Sequence, residues 1–248
     1  MLEDIFKSQE AYFKWRVEKV KRIAKRFPIM FEVKGKKCLD IGCGAEAPLS
    51  YYLSENKGIV TSGDVTKELV NQAKKFAKKS KISIFSAEKL PFKDKEFDFV
   101  FMMDVLEHVK NPKQAINEAI RVTKQGGKIF IEFSPFYAYP TGHHLYGLGF
   151  PKGFIPFQFI PIKLTKSIVI NSKLKTKDTP EFMFWQFANL NKVSIKQFNS
   201  MLKEHNLKKI DERFCISLPN TEIEFNFLKH LPIINELMSM SYSCVLQA

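Results

Sequence analysis

A doubly wound α/β fold, with a parallel sheet covered by helices on both faces, is what this 248-residue sequence predicts. Two observations carry that reading. Between Lys36 and Phe133 short apolar runs alternate with helical periodicities. The stretch CLDIGCGAEAP, Cys38 to Pro48, reads as a buried strand running through a glycine turn into a helix, the usual opening of such a sheet.

The elements follow in order. Residues 1–27 form an amphipathic helical region, with Phe13, Val17, Val20, Ala24 and Phe27 at helical spacing and Pro28 as a stop. Strands are predicted at about 37–41, 59–63, 82–86, 97–103 and 128–133. Helices are predicted at about 47–57, 66–79 and 112–124, the last opened by Asn111-Pro112 and closed by Gln125-Gly126-Gly127. After Phe133 the alternation stops, and residues 134–192 are rich in aromatics and prolines. A long interruption of this kind reads as a lid or binding loop. Ser194 then caps a helix through Ile195, Phe198 and Leu202, followed by a strand LKKIDERF, a helical stretch near 221–239 and a closing strand SYSCVLQ. The expected organisation is one domain, 1–248, with a helical cap (about 1–34), a core (about 35–133), an insertion (about 134–192) and C-terminal elements (about 193–248).

Composition narrows the classes. The chain is 45% hydrophobic and 26% charged, as expected of a soluble globular protein. MLEDIFKSQE lacks the apolar run of a signal peptide, and no stretch reaches the length of a membrane span, which predicts a cytoplasmic protein. Cysteines 38, 43, 215 and 244 have no zinc spacing and read as buried thiols, so no metal is expected. The net charge is +13, yet only five of the 39 basic residues are arginines. Phosphate and base readers favour the planar arginine fork, so nucleic acid is a disfavoured partner. Lys74, Lys75, Lys78 and Lys79 are placed on the outer face of a helix whose inner face is Leu69, Val70, Ala73, Phe76 and Ala77.

The glycine loop fits G-x-G-x-x-A, a pattern that holds pyrophosphates, yet Asp40 precedes Gly42 by two residues and Glu46 lies within the loop. A helix N-terminus already favours one anion, and these carboxylates oppose a second. S-adenosylmethionine has no phosphate and carries an ammonium and a sulfonium, so a carboxylate at Asp40 suits it. Asp64, at the end of the second strand, lies where a carboxylate can accept both hydroxyls of a ribose.

The motifs LDIGCG, GDVT, SAEKLPF, FDFVFMMDVLEHV and KQGGKIFIEF, in that order over about residues 36–133, resemble the class I S-adenosylmethionine-dependent methyltransferases, especially the type 11 group. The closing SYSCVLQA resembles that family's antiparallel last strand. The resemblance implies a Rossmann-like, mostly parallel seven-stranded sheet and S-adenosyl-L-methionine as cofactor. It also implies that Asp40, Gly42 and Gly44 line the methionine end, Asp64 with Val65 takes the ribose, Ser86 and Ala87 border the adenine, and Met103 and Asp104 form the floor. Ser86 stands where the family usually has an aspartate; it can accept a hydrogen bond but carries no charge.

Methyl transfer also needs an acceptor stripped of its proton, and a histidine at the carboxyl edge of the sheet suits that task. His143 and His144, early in the insertion, are the first candidates, and His108 in LEHV is the next; a histidine can equally tie a loop to its neighbours. Tyr137, Tyr139, Tyr146, Phe150, Phe154, Phe157, Phe159, Phe182, Phe184 and Trp185 predict an apolar acceptor pocket, with part of them forming the lid's own core. Exposed aromatics with Lys152, Lys163 and Lys166 also fit peripheral contact with a membrane surface, as a lipid-like acceptor would need. The expected activity is methylation of a small-molecule or lipid-like acceptor. The rivals are an RNA methyltransferase, a non-catalytic cofactor-binding module and, more distantly, a nicotinamide oxidoreductase.

Overall fold

The structure is a computed structural model. It describes residues 8–248 apart from 140, 141, 143, 146, 147, 149–152, 154, 173–178, 206, 219, 220 and 226–229. His143, Tyr146, Phe150, Lys152 and Phe154 therefore lie outside the described residues.

Helix α1 (Gln9–Arg26) starts at Ser8, whose hydroxyl accepts the Ala11 N–H at 3.1 Å, and ends before Pro28. It buries Val17, Val20, Ile23 and Ala24. The alternating core then runs β1 (Lys37–Ile41), α2 (Pro48–Glu55), β2 (Ile59–Asp64), α3 (Lys67–Phe76), β3 (Lys81–Ile84), β4 (Phe97–Met103), α4 (Pro112–Val122) and β5 (Thr123–Phe133). Lys74 and Lys75 are exposed on α3 as expected, whereas Lys78 and Lys79, also exposed, lie beyond its end at Phe76 rather than on the helix.

After β5 come a 3₁₀ turn (Phe157–Phe159), α5 (Ile162–Ile170) and α6 (Pro180–Asn189), which share a small core of their own around Phe136, Phe157, Val169, Met183 and Phe187. Helix α7 (Ile195–Leu202) opens with a reciprocal capping box between Ser194 and Gln197. Strand β6 (Lys208–Leu218), strand β7 (Thr221–Glu224), helix α8 (Pro232–Met238) and strand β8 (Ser241–Gln247) complete the chain.

The sheet order is β3-β2-β1-β4-β5-β8-β6-β7. Strands β1 to β5 are parallel, and β8 pairs antiparallel with both β5 and β6. Because β1 lies between β2 and β4, the winding reverses there, and a crevice opens at the carboxyl ends of β1 and β4. Strand alternation assigns the two faces. Leu39 and Ile41 pack with the α4 and α7 layer, whereas Cys38 joins the layer holding Val20, Ile23, Leu49 and Leu53 from α1 and α2. Asp40 shares the face of Cys38 and so points at α2.

Three expectations need correction. Among the described residues the sheet has eight strands, not seven. The helix expected near 221–239 is instead strand β7, hairpin-paired with β6, followed by the shorter α8. Helix α4 stops at Val122 rather than 124, and β5 begins at Thr123, earlier than expected, because the Thr123 hydroxyl bonds back to the Ala119 carbonyl at 2.6 Å. Gly126, at φ 74°, then lets the strand bulge before it rejoins β4.

Candidate active site

The first turn of the sheet is built by glycine and by its own backbone bonds. Gly42 adopts φ 71°, and a Cβ there would stand 2.4 Å from the Val105 side chain, so only glycine fits. The N–H groups of Gly42 and Cys43 both donate to the Gly63 carbonyl, at 2.9 and 3.1 Å. Gly44, at φ 67°, donates its N–H to Asp64 Oδ2 at 2.9 Å, while Asp64 Oδ1 accepts from Val65 N–H at 2.7 Å. Three successive N–H groups are thus given to protein oxygens instead of pointing at a phosphate. Asp40 is only 2% exposed and accepts from the Ser50 hydroxyl at 2.6 Å. Burial raises its carboxyl to about 7, against the Ser50 bond, with the charge of Asp64 adding to the rise.

The ends of β2 and β3 continue the crevice. Val65 is exposed beside Asp64. Ala87 is buried, and the Ser86 hydroxyl accepts from Glu88 N–H at 3.2 Å, which fixes the turn after β3. Ser86 is therefore engaged in shaping its own loop.

The carboxyl ends of β4 and β5 hold a dense charge cluster. Met103 closes β4, and Asp104 follows with φ 55°, its N–H donating to the Glu132 carbonyl at 2.9 Å. Helix α1 delivers two cations to this point. Lys19 Nζ lies 3.1 Å from Asp104 and 3.2 Å from Glu132, which is 1% exposed, and Arg16 lies 3.5 Å from Asp104. Burial alone would raise the Asp104 carboxyl, but Lys19 and Arg16 hold it well below the usual carboxylate range. Those same carboxylates, outweighing burial, raise both cations above their ordinary values, and Glu46 contributes to the field on Arg16. A cavity of about 20 Å³ remains between Arg16, Lys19, Asp40, Gly42 and Met103.

The loop after Asp104 is pinned by both ends of the segment that follows β5. The Ser134 N–H donates to Glu107 Oε1 at 3.1 Å, and the Asn191 side chain donates to the carbonyls of Leu106 and Val109 at 2.6 and 2.8 Å. Glu107 is 3% exposed, its second oxygen has no hydrogen-bond partner among the described residues, and burial beside Asp104 drives its carboxyl upward. The His108 and His144 rings lie 5.2 Å apart. Burial pushes the His108 imidazole below its ordinary value, which favours the neutral form. The structure thus brings His108, His144, Asp104 and Met103 to one edge, with Asp40, Gly42, Gly44, Asp64 and Val65 beside them.

Arg16, Lys19 and Glu132 are the site residues that motif reading passed over. The α1 cations belong to no motif, and only the three-dimensional path of the helix brings them to the sheet. A signal was available: Arg16 and Lys19 follow one another at a spacing of three within a helix otherwise read for its apolar stripe.

The model of a family described as a methyltransferase domain matches residues 39–131. An uncharacterized protein of Methanocaldococcus jannaschii is 50% identical over 68 residues, 27% of this chain and 32% of that protein. The ubiquinone biosynthesis O-methyltransferase of Coxiella burnetii is 34% identical over 102 residues, 40% of this chain and 43% of that protein. The chain thus spans well under half the length of the curated relatives it matches. A solved structure from Thermotoga maritima, described as a SAM-dependent methyltransferase and possible histamine N-methyltransferase, superposes with a TM-score of 0.59 at 14% identity, over 98% of this chain and 97% of that one. At that identity the superposition speaks for the fold alone, whereas the match over 39–131 speaks for the sequence. Residues 39–131 are thus similar in sequence to the methyltransferase-domain family, and the chain shares its fold with the Thermotoga maritima protein described as a SAM-dependent methyltransferase.

Proposed function

We propose that this protein transfers a methyl group from S-adenosylmethionine to a small-molecule or lipid-like acceptor seated under the segment after β5. The single observation that carries the reading is the chemistry of the crevice at the switch between β1 and β4. Its glycine loop gives the N–H groups of residues 42–44 to protein oxygens, and Asp40, Asp64 and Asp104 line its wall. With those donors engaged the loop is no phosphate cradle, while Asp64 stands as an acceptor for a ribose and the Arg16, Lys19 and Asp104 cluster offers partners for both charged groups of a methionine end.

The residues present fit that cofactor. Asp64 would exchange the Gly44 N–H for the ribose hydroxyls, and Val65 offers an apolar edge to the adenine beside Ala87. Ser86, held by Glu88 N–H, shapes that edge without charge. Arg16 and Lys19 supply cations for the methionine carboxylate, and Asp40 or Asp104 supplies the anion for its ammonium. The small remaining volume implies that the Arg16 and Lys19 side chains rearrange as the ligand enters. S-adenosylmethionine supplies an activated methyl on a good leaving group, so the protein's task is alignment and removal of the acceptor's proton. His108, kept neutral by burial, and His144 beside it are placed to take that proton. The name of the Coxiella relative, an O-methyltransferase of ubiquinone biosynthesis, is in keeping with a small organic acceptor.

The test is to incubate the protein with methyl-labelled S-adenosylmethionine and cell extract and identify what becomes labelled. Label in an extractable small molecule supports the reading. Label in RNA would overturn the acceptor class. Absence of both labelling and cofactor binding would overturn the activity.

A further inference from the structure

Exposed large apolar side chains are unevenly distributed over this molecule. Outside residues 139–238 they are scattered singly, at Ile29, Ile59, Val65 and Ile84. Within that stretch, apart from Ile223 on β7, they gather in two patches. The first is the lid: Phe159 and the first turn of α5, Ile162 and Leu164, with Phe182 and Trp185 of α6, whose rings stack 6.1 Å apart. The second is α8, with Ile233, Ile234, Leu237 and Met238 exposed. The two patches are bridged by residues 137–139. The Tyr137 ring lies 6.0 Å from that of Phe159, and Tyr139 donates its N–H to the Leu237 carbonyl at 2.8 Å.

Charge says what this surface meets. The segment 134–192 contains seven lysines against Asp178 and Glu181, and no arginine. Lys163 and Lys166 are exposed on α5 next to Ile162 and Leu164, and the stem of Lys166 carries its ammonium over the Phe184 ring at 5.8 Å. The acid of α8, Glu236, is turned inward to accept from the Ile195 N–H at 2.9 Å, so it does not oppose an anion in front of Ile233. Protein interfaces enrich arginine and deplete lysine, whereas an aliphatic and tryptophan face rimmed by lysine is the composition of a helix lying in an anionic lipid surface. Lysines there can keep their ammonium groups at the headgroups while their stems rest on apolar surface.

We infer that α5, α6 and α8 form a docking face for an anionic lipid bilayer, with Trp185 and Ile233 immersed at the headgroup boundary and Lys163 and Lys166 paired with lipid phosphates. The inference deepens the lipid-like acceptor reading and rests on it only for its purpose. Helices α5 and α6 belong to the same segment after β5 as His144, so docking would set the acceptor's point of entry against the membrane. Binding itself is independent of methyl transfer and is measured without it.

The experiment uses the full chain and sonicated vesicles of phosphatidylcholine with an equal share of phosphatidylglycerol, against vesicles of phosphatidylcholine alone. The chain has two tryptophans, Trp15 and Trp185, so a Trp15→Phe variant makes Trp185 the sole reporter. Its emission should shift to the blue with anionic vesicles and stay in place with neutral ones. The double variant Trp185→Glu and Ile233→Glu should lose at least about tenfold in sedimentation with anionic vesicles, since it removes two anchors and adds two like charges. Both positions are exposed, at 60% and 75%, so its cofactor affinity and thermal midpoint should match the parent. Lys163→Gln with Lys166→Gln should weaken binding and flatten its salt dependence. Three results would each overturn the inference: no vesicle binding by the parent, binding that the double variant leaves unchanged, or a self-associated parent that the double variant turns into a monomer. If docking holds while S-adenosylmethionine fails to bind, the functional proposal fails and the surface stands.

Discussion

Asp64 uses both carboxylate oxygens on backbone donors, Gly44 N–H and Val65 N–H, at the point where a ribose would lie. Asp64→Ala should therefore weaken S-adenosylmethionine binding by about 2–3 kcal/mol, the scale of hydrogen bonds to a charged acceptor, as read by titration calorimetry. Unchanged affinity would remove Asp64 from the site. Glu107 makes a second case. Its carboxyl is pushed up by burial and by Asp104. A carboxyl raised on folding contributes stability that is complete below its unfolded value, near pH 4, and is lost as pH rises through its folded value. Glu107→Gln has no proton to lose, so its denaturation midpoint relative to the parent should climb as pH is raised from about 5 to about 9. A constant difference across that range would contradict the assigned protonation. At this scale the places of Asp40, Gly42 and Asp64 at the ends of β1 and β2 were legible from the sequence. Glu107 was named in its motif, but its buried and half-satisfied state depends on Ser134, residues away in sequence and adjacent only in the fold.

Helix α1 matters to the site through a face that its apolar stripe does not reveal. Lys19 neutralises Asp104 and the buried Glu132, and removing it takes this cation from Glu132 while Arg16 still faces Asp104. Lys19→Met should cost about 3 kcal/mol in urea unfolding, the lower end for a broken buried pair because Asp104 keeps some solvent contact. The same pairing sets an acid limit. A carboxyl depressed on folding, as Asp104 is by Lys19 and Arg16, contributes stability above its unfolded value, near pH 4, that is lost as pH falls towards its folded value. In the variant that acid-side loss should shrink. On α7, Ser194→Ala removes a side-chain cap and half of a capping box, and should lower stability by about 1 kcal/mol with cofactor affinity unchanged. The strands β1, β2 and β4 were readable to within a residue, whereas α3 ends at Phe76, three residues before its expected stop. The stretch 221–239 was not readable, because TEIE is too short to fix a period and its strand character is settled by pairing with β6.

Over the whole molecule, the sheet order places one crevice at the ends of β1 and β4, and every site residue described above converges there except Ser86 and Ala87, which flank it on the β3 side. The parallel core was legible because five motifs fall in order along it, and the antiparallel end was legible as the strand LKKIDERF and the closing strand, without the hairpin partner β7. The eighth strand and the inward reach of α1 depend on contacts between elements distant in sequence, which no local pattern records. The central claim is that the crevice is shaped for a phosphate-free, cationic adenosine ligand. Titration of the purified chain with S-adenosylmethionine and, separately, with NAD tests it most directly. The account predicts saturable binding of S-adenosylmethionine, weakened in Asp40→Asn and Asp64→Ala, and no measurable heat with NAD. Tight binding of NAD with no response to S-adenosylmethionine would contradict it.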